Sequence, residues 1–184
     1  SNSLWQKLDF LIERYRGLVP NYASGIRELS LVELPEMVYN SNAIENSTLT
    51  LEDTEDILIH HKIRTDHQIR EIFEATNLAK AMRFLLDNPE IEISVSLILK
   101  LHSILLQNIR DNAAGRFRAN KELVRVGSHL GANPKLVHGF MSDLVEKYNA
   151  SDDQYFLNKI VYFHAEFENI HPFIDGNGRI GRLL

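Results

Sequence analysis

A segment near the end of the sequence, residues 171–182, concentrates side chains that suit the chemistry of phosphates. Histidine is a common general base in enzymes, so His171 could accept a proton from an attacking hydroxyl group. Asp175 supplies the hard oxygen ligand that Mg²⁺ prefers when it bridges phosphates. Arg179 and Arg182 lie three residues apart. In a helix they would share one face, where both could bind phosphate oxygens.

The turn between these groups carries two glycines, Gly176 and Gly178, on either side of Asn177. Glycines allow successive backbone N–H groups to converge on an anion, and the start of the following helix adds the positive end of its dipole. The segment therefore predicts a binding site for a magnesium–nucleotide complex, with a general base beside it. The alternative is a helix-connecting turn with a structural histidine, which would require all these phosphate-suited groups to coincide by chance.

A zinc site is a further alternative, because His164, Glu168 and His171 recur at helical spacing. The His-Glu-x-x-His pattern that characterises many zinc enzymes is absent from the sequence. The nucleotide site is therefore the favoured interpretation.

Composition and charge restrict the class of protein. The chain has 184 residues, of which 44% are hydrophobic and 24% charged, which is typical of one globular domain or slightly more. The absence of cysteine excludes disulfides and thiolate metal sites. A net charge of −5 does not favour nucleic-acid binding. Without an apolar run near the length of a membrane span, we expect a soluble, cytoplasmic protein with no membrane partner.

Helical hydrophobic spacing along most of the chain predicts an all-α fold with one small β-hairpin. The first helix is expected to end near Gly17 and Pro20, and a second to occupy residues 36–46. Residues 50–53 form a capping-box pattern for a helix that runs to about His61.

The longest helix is predicted at about residues 66–87, and Ser94 is expected to cap the next one. Six residues of the longest helix are expected to face inward, namely Ile69, Ile72, Phe73, Thr76, Met82 and Leu86. Helical spacing disappears over residues 108–134, where the hairpin is predicted. Helices resume at Pro134, with Asn133 as the cap, and again over residues 153–170.

The segment 171–182 matches every specified position of the signature H-x-F-x-[DE]-G-N-G-R-x-x-R, and in this the sequence resembles the Fic family (filamentation induced by cyclic AMP). Residues 114–118 resemble the A-G-x-[YF]-R segment that precedes the family's flap hairpin. The resemblance implies an N-terminal helical extension, 1–33, and a Fic catalytic domain, 34–184. We expect this domain to be truncated at its C-terminus, because few residues remain for a helix after Gly178.

The resemblance also implies transfer of AMP from ATP to a Ser, Thr or Tyr hydroxyl of a target protein, or of the protein itself. His171 would deprotonate the hydroxyl, Asp175 would hold Mg²⁺, and Phe173 would anchor the loop in the core. The phosphates would be bound by Gly176, Asn177, Gly178, Arg179 and Arg182.

The hairpin around residues 121–128 would be the flap, which binds a target segment as an additional strand. Its candidate contact residues are Leu123, Val124, Arg125 and Val126. The Doc-like relatives, which transfer a phosphate, have lysine at the position of Gly178, so this glycine favours AMP transfer.

Residues 41–46 resemble the family's inhibitory motif, [ST]-x-x-x-E-[GN], with Ser41, Glu45 and Asn46 at the specified positions. Glu45 would pair with Arg182 and take the place of the ATP γ-phosphate, so that the α-phosphate is misaligned for in-line attack. The resemblance thus implies an auto-inhibited enzyme, activated when the γ-phosphate or a changed oligomer breaks this pair. A homodimer would fit the family, but the sequence leaves the oligomeric state open.

Two alternatives remain open at the level of the sequence. The same glutamate could position a water that hydrolyses AMP from a modified target, which would make the protein a de-AMPylase. The second alternative is a nucleotide-sensing regulatory module without catalysis. The intact His171 and Asp175 favour an enzyme over such a module.

Overall fold

The structure is a computed structural model that describes residues 2–64, 66–127, 129–151 and 156–184. Within these ranges it contains seven α-helices, one π-helical turn and one two-stranded hairpin. The predicted all-α fold with a small hairpin is therefore confirmed. None of the helices in the described part of the chain is long and apolar enough to cross a membrane. The chain divides into two compact units, Ser1–Leu34 and Pro35–Leu184.

Helix α1 spans Asn2–Ile44 and contains one residue with non-helical dihedral angles, Tyr22 (φ −128°, ψ 20°). The predicted end of the first helix near Gly17 and Pro20 thus falls close to an interruption at Tyr22, whereas the second helix, predicted over residues 36–46, begins much earlier. A proline removes one backbone donor and can kink a helix without ending it. The interruption falls two residues after Pro20, and helical structure then continues to Ile44.

The segment after α1 turns sharply and starts a new helix. Asn46 has a left-handed backbone (φ 65°), as expected for a residue that terminates a helix. Helix α2, Leu51–Glu55, begins at the predicted capping box, in which Thr50 and Asp53 exchange side-chain-to-backbone hydrogen bonds. A π-helical turn, Asp56–His60, extends α2 to the predicted end.

Helices α3, Ile69–Asp87, and α4, Val95–Leu106, pack against each other. Ser94 caps α4 as predicted, because its hydroxyl accepts a hydrogen bond from the Leu97 amide at 3.2 Å. The expected inward position of Ile69 is wrong: this residue is 71% exposed because it begins α3 at the edge of the packed region. The buried apolar face of α3 consists of smaller residues, Ala75, Leu78, Ala79 and Ala81.

The hairpin lies in the predicted non-helical region. Strands β1, Arg125–Val126, and β2, His129–Leu130, pair antiparallel. Helix α5, Val137–Ala150, begins three residues later than predicted. Asn133 instead holds the preceding turn, because its side-chain oxygen accepts a hydrogen bond from the Lys135 amide at 3.1 Å.

Helices α6, Phe156–Ile170, and α7, Asn177–Leu183, flank the loop that carries the signature. The predicted start of α6 near residue 153 lies outside the described residues. Seven residues are too few for an independently stable helix, so α7 depends on its packing against α4 and α6. The core beneath this loop contains side chains with no more than 1% exposure, including Leu101, Leu105, Met141, Phe167, Phe173 and Ile180.

Candidate active site

His171 follows directly after α6 and turns the chain away from that helix. Its backbone is left-handed (φ 50°), and its amide still donates to the Phe167 carbonyl at 2.9 Å. The ring is partly exposed, and its Nδ1 lies 3.6 Å from Glu168 Oε2. This separation is longer than a hydrogen bond, and Nδ1 has no hydrogen-bond partner among the described residues. The backbone thus fixes His171, the predicted general base, at the start of the loop.

The loop after His171 is closed by a side chain that mimics a backbone turn. Asn177 accepts a hydrogen bond from the Phe173 amide and donates one to the Phe173 carbonyl, both at 2.8 Å. The Phe173 ring is buried and stacks on His102 with ring centroids 3.6 Å apart. Phe173 therefore occupies the core position expected of it, and the Asn177 side chain holds the loop.

The N-terminus of α7 offers free amides at the predicted phosphate position. Gly176 caps the helix with a left-handed backbone (φ 81°), which favours glycine. The first helical hydrogen bond of α7 runs from the Ile180 amide to the Gly176 carbonyl at 3.0 Å. The amides of Asn177 and Gly178 precede this bond, so the helix itself does not use them and they are suited to an anion.

The carboxylate of Glu45 lies beside Gly178, in the first turn of α7. A Cβ atom placed on Gly178 would collide with Glu45 Oε1 and would lie 2.9 Å from Arg182 Nη1. Arg182 Nη2 donates to Glu45 Oε1 at 2.7 Å, while Arg182 Nε donates to the Ser41 hydroxyl at 3.0 Å. The structure thus brings Ser41, Glu45, Gly178 and Arg182 together. Asn46 lies beside them and contributes the left-handed turn that ends α1.

Asp175 belongs to a closed ring of four alternating charges. Its Oδ2 accepts from Arg70 Nη2 at 2.9 Å, and its Oδ1 accepts from Arg179 Nη2 at 3.1 Å. Glu74 Oε1 completes the ring, at 3.0 Å from Arg70 Nε and 3.2 Å from Arg179 Nη1. Arg179 is thus buried among carboxylates, and its partners differ from those of Arg182. Sequence reasoning missed Arg70 and Glu74, because they lie on α3, far from the signature along the chain.

The sequence also did not reveal the role of His102, whose buried ring hydrogen-bonds to the backbone of the loop. The Gly115 amide donates to its Nδ1 at 3.1 Å, so the proton resides on Nε2, which donates to the Asp175 carbonyl at 3.0 Å. Burial lowers the pKa of His102 to about 4, so the ring stays neutral. Gly115 has a left-handed backbone (φ 69°), which explains the glycine of the A-G-x-[YF]-R segment.

Arg118, the last residue of that segment, joins the hairpin to the catalytic loop. The side chain is buried and donates to the carbonyls of His171 at 2.8 Å, Glu122 at 2.8 Å and Ala132 at 2.7 Å. Burial lowers the pKa of Arg118, although nearby Glu122 opposes this shift. The Arg118 guanidinium therefore fixes the backbone of His171 relative to the residues on either side of the hairpin.

The hairpin stands directly beside His171. The Gly131 amide donates to the Val124 carbonyl at 3.1 Å, and a Cβ atom on Gly131 would lie 3.1 Å from His171 Cβ. Among the predicted flap residues, Leu123 and Arg125 are exposed, whereas Val124 and Val126 are half-buried. The flap therefore presents side chains to solvent next to the candidate base.

A bidentate ion pair between Arg116 and Glu122 holds the segment that precedes the hairpin. Arg116 Nη1 and Nη2 donate to the two Glu122 carboxylate oxygens at 2.8 and 2.9 Å. Hydrogen bonding from Arg116 lowers the pKa of Glu122 to about 2. The carboxylate therefore stays ionised throughout the physiological pH range and keeps this connection intact.

The residues of the alternative zinc site, His164, Glu168 and His171, do not form a metal-binding cluster. The residues that the structure describes contain no cluster of three or more His, Cys, Asp or Glu side chains that could hold a metal. His164 instead hydrogen-bonds through Nδ1 to the Gly181 carbonyl at 3.0 Å. Mg²⁺ commonly binds to one or two carboxylates plus substrate phosphates and water, which a lone Asp175 carboxylate beside a phosphate site can support.

The fold and the site together define an all-helical domain in which a histidine, a glycine-rich turn and a short helix form one loop beside a hairpin. Residues 92–184, half of the chain, match the model of the Fic/DOC family. The chain belongs to the Fic/DOC family.

Named relatives extend the match beyond those residues. The chain is 34% identical over 153 residues to protein adenylyltransferase fic-1 of Caenorhabditis elegans, covering 80% of this chain and 30% of that protein. It is 31% identical over 170 residues to protein adenylyltransferase Fic of Drosophila persimilis, covering 88% and 32%. The chain thus spans about a third of the length of these curated relatives.

Solved structures show the same fold. A Fic family protein from Desulfovibrio desulfuricans superposes with a TM-score of 0.76 at 31% identity, covering 98% of this chain and 54% of that one. A Fic domain containing signalling protein from Bacteroides thetaiotaomicron superposes with a TM-score of 0.80 at 24% identity, covering 95% and 69%.

Proposed function

We propose that the protein is an auto-inhibited adenylyltransferase that transfers AMP from Mg-ATP to a Ser, Thr or Tyr hydroxyl of a target protein or of its own chain. One observation carries this proposal: the Glu45 carboxylate lies beside Gly178 at the start of α7 and is hydrogen-bonded to Arg182. A carboxylate in that position imitates a phosphate at a helix N-terminus. The relatives named as adenylyltransferases support the same reaction.

The transfer step assigns a separate task to each part of the loop. His171 removes the proton from the target hydroxyl, whose oxygen attacks the α-phosphorus. The bond between the α-phosphorus and its bridging oxygen breaks, and pyrophosphate leaves. The amides of Gly176, Asn177 and Gly178 stabilise the negative charge that develops on the phosphates. Arg118 keeps His171 in place through its backbone carbonyl.

Asp175 is the residue that would hold magnesium. The ion, when bound, supplies charge neutralisation for the phosphates of ATP. The chain contributes the orientation of the carboxylate, through the Asp175 carbonyl bonded to His102 and the loop closed by Asn177.

The inhibited state follows from the position of Glu45. Arg182 would bind the γ-phosphate, but its guanidinium is already bonded to Glu45. The repulsion between that carboxylate and the γ-phosphate shifts bound ATP, so the α-phosphate is not in line with the attacking oxygen. The Glu45 side chain is 40% exposed, so the pair can separate without leaving a charge buried.

The same exposure supports a second candidate function, the hydrolysis of AMP from a modified protein. Glu45 has a second carboxylate oxygen, and solvent reaches its side chain. It could therefore orient a water beside the amides of α7. In this reaction the water gives a proton to Glu45 and attacks the phosphorus of the AMP group. The bond between phosphorus and the target oxygen breaks, and His171 donates a proton to that leaving oxygen.

The test compares two positions of the label on ATP. We expect the Glu45→Gly variant to incorporate label into protein from ATP labelled on the α-phosphate and none from ATP labelled on the γ-phosphate. Adding His171→Ala should abolish incorporation, because no base remains to deprotonate the hydroxyl. Label from the γ-phosphate would indicate phosphorylation instead. Release of AMP from pre-modified protein by the wild-type chain, without transfer by any variant, would favour the hydrolase.

A further inference from the structure

The side chain of Arg70 is hydrogen-bonded to the Asp175 carboxylate, which is the group proposed to hold a metal ion. Both carboxylate oxygens of Asp175 are engaged, Oδ1 by Arg179 at 3.1 Å and Oδ2 by Arg70 at 2.9 Å. A magnesium ion that coordinates one of these oxygens directly would lie close to the guanidinium hydrogen-bonded there, and the two positive charges would repel each other. Binding of the ion therefore favours the departure of one arginine.

The two arginines differ greatly in how easily they can leave. Arg179 is 3% exposed and lies on α7, four residues from Asp175, so its removal would strand a buried cation. Arg70 is 55% exposed and approaches from α3, 105 residues away along the chain. Water can solvate the Arg70 guanidinium as it moves, so Arg70 is the partner that gives way.

We propose that Arg70 is a positioning residue that acts as a stand-in cation: it holds the Asp175 carboxylate in the metal-free protein and is displaced when Mg²⁺ arrives with ATP. The inference rests on the proposed function, since it requires Mg-ATP to bind at Asp175. No part of the catalytic signature contains Arg70, which is brought to the site only by the packing of α3.

Glu74 gives the displaced side chain a second anchor. Arg70 Nε donates to Glu74 Oε1 at 3.0 Å, a contact on the same helix and independent of Asp175. The guanidinium can therefore turn its Nη2 away from Asp175 while its Nε remains bonded to Glu74. Glu74 also lies 3.2 Å from Arg179, so the ion pair between these two residues persists when Arg70 leaves Asp175.

The stand-in role and a purely structural role of Arg70 predict opposite effects of its removal on metal binding. If Arg70 competes with the metal, its removal frees Oδ2, removes a neighbouring positive charge and tightens metal binding. If Arg70 merely holds Asp175 in a useful orientation, its removal weakens metal binding. The energies typical of exposed ion pairs correspond to an effect of about two- to fivefold.

The experiment measures equilibrium binding of labelled ATP as a function of free Mg²⁺. The parent is the Glu45→Gly/His171→Ala variant, in which the γ-phosphate position is open and no transfer consumes the ATP. We expect Arg70→Gln in this parent to lower the Mg²⁺ concentration for half-maximal ATP binding by about two- to fivefold. Arg83→Gln, which removes another exposed arginine of α3, should leave this concentration unchanged.

Three results would overturn the inference, and they separate it from the proposed function. An unchanged or increased half-maximal Mg²⁺ concentration in Arg70→Gln would overturn the stand-in role and leave the proposed function standing. The same shift in Arg83→Gln would show a general charge effect and would also overturn it. Failure of the parent to bind ATP at any Mg²⁺ concentration would overturn both.

Discussion

At the scale of single residues, the site depends on side chains that touch the loop backbone. His102 bonds to the Asp175 carbonyl and Arg118 to the His171 carbonyl. Two buried side chains thus set the positions of the proposed metal ligand and the proposed general base. Neither contact leaves a periodic signal in the sequence. The types and order of residues 171–182 indicate the chemistry, but only the packed structure shows what supports it.

The neutral state of His102 predicts a loss of stability in acid. Its pKa is about 4 in the folded protein against an ordinary value of 6.5, because burial disfavours the charged ring. The unfolded chain therefore binds the extra proton first as the pH falls below about 6.5, and stability declines until the pH approaches about 4. We expect His102 to account for a loss of about 2 kcal/mol between pH 7.5 and pH 5.

Denaturant unfolding of the metal-free protein at several pH values measures this loss. The His102→Gln variant is the control, because its amide can bond to the same groups without titrating. We expect a steeper acid decline in the wild-type chain than in the variant. Equal declines in the two proteins would contradict the assignment of a lowered pKa to His102.

At the scale of the elements, α3 connects the segment that follows Glu45 with the loop of the candidate active site. Its Glu71 carboxylate is buried and accepts hydrogen bonds from the Thr48 amide at 2.5 Å, the Thr48 hydroxyl at 3.0 Å and the Ser47 hydroxyl at 3.3 Å. Burial alone would raise the pKa of Glu71, but these hydrogen bonds outweigh it and the pKa is lowered. One turn further along, Glu74 contacts Arg179.

Glu71→Gln should loosen the segment that follows Glu45. The amide side chain has one acceptor oxygen in place of two and offers donors where acceptors are needed, so the hydrogen bonds to Ser47 and Thr48 cannot all persist. When Glu71→Gln is the only substitution, we expect the rate of AMP transfer to increase several-fold, because Glu45 is then held less firmly against α7. In the Glu45→Gly background the same change should have little effect on transfer.

The comparison of the two backgrounds separates positioning from general damage. Glu90→Gln, at an exposed site beyond the end of α3, serves as the control for loss of one negative charge. Hydrogen exchange at the Thr48 amide should become faster in Glu71→Gln and stay unchanged in Glu90→Gln. An equal reduction of transfer in both backgrounds would mean that Glu71 only supports the fold.

The elements differ in how far the sequence could predict them. The capping boundaries at Thr50 and Ser94 were predictable, because a cap depends on residues within one turn. The early start of the helix after the kink at Tyr22 was not, since Gly25 lowers helix propensity in that segment. The inward face of α3 was mistaken at Ile69 because helical spacing alone does not reveal where packing begins.

At the scale of the whole molecule, the contact proposed to be inhibitory joins distant parts of the chain. Ser41 and Glu45 are separated from Arg182 by 141 and 137 residues, yet their side chains meet at 2.7 to 3.0 Å. The pair of sequence motifs predicted this meeting, whereas the contribution of Arg70 and Glu74 required the fold. Since the Glu45–Arg182 pair is partly exposed, its contribution to stability is about 0–1 kcal/mol. Its proposed purpose is therefore to control ATP alignment.

The most direct test of this account is the initial rate of AMP incorporation into protein, measured with Mg²⁺ and ATP labelled on the α-phosphate. We predict that Glu45→Gly exceeds the wild-type rate by at least tenfold, because Arg182 is then free for the γ-phosphate. Glu36→Gly, which places a glycine at another exposed position of α1, should match the wild-type rate. Equal rates for Glu45→Gly and wild type, with ATP bound by both, would contradict the proposal that Glu45 inhibits transfer.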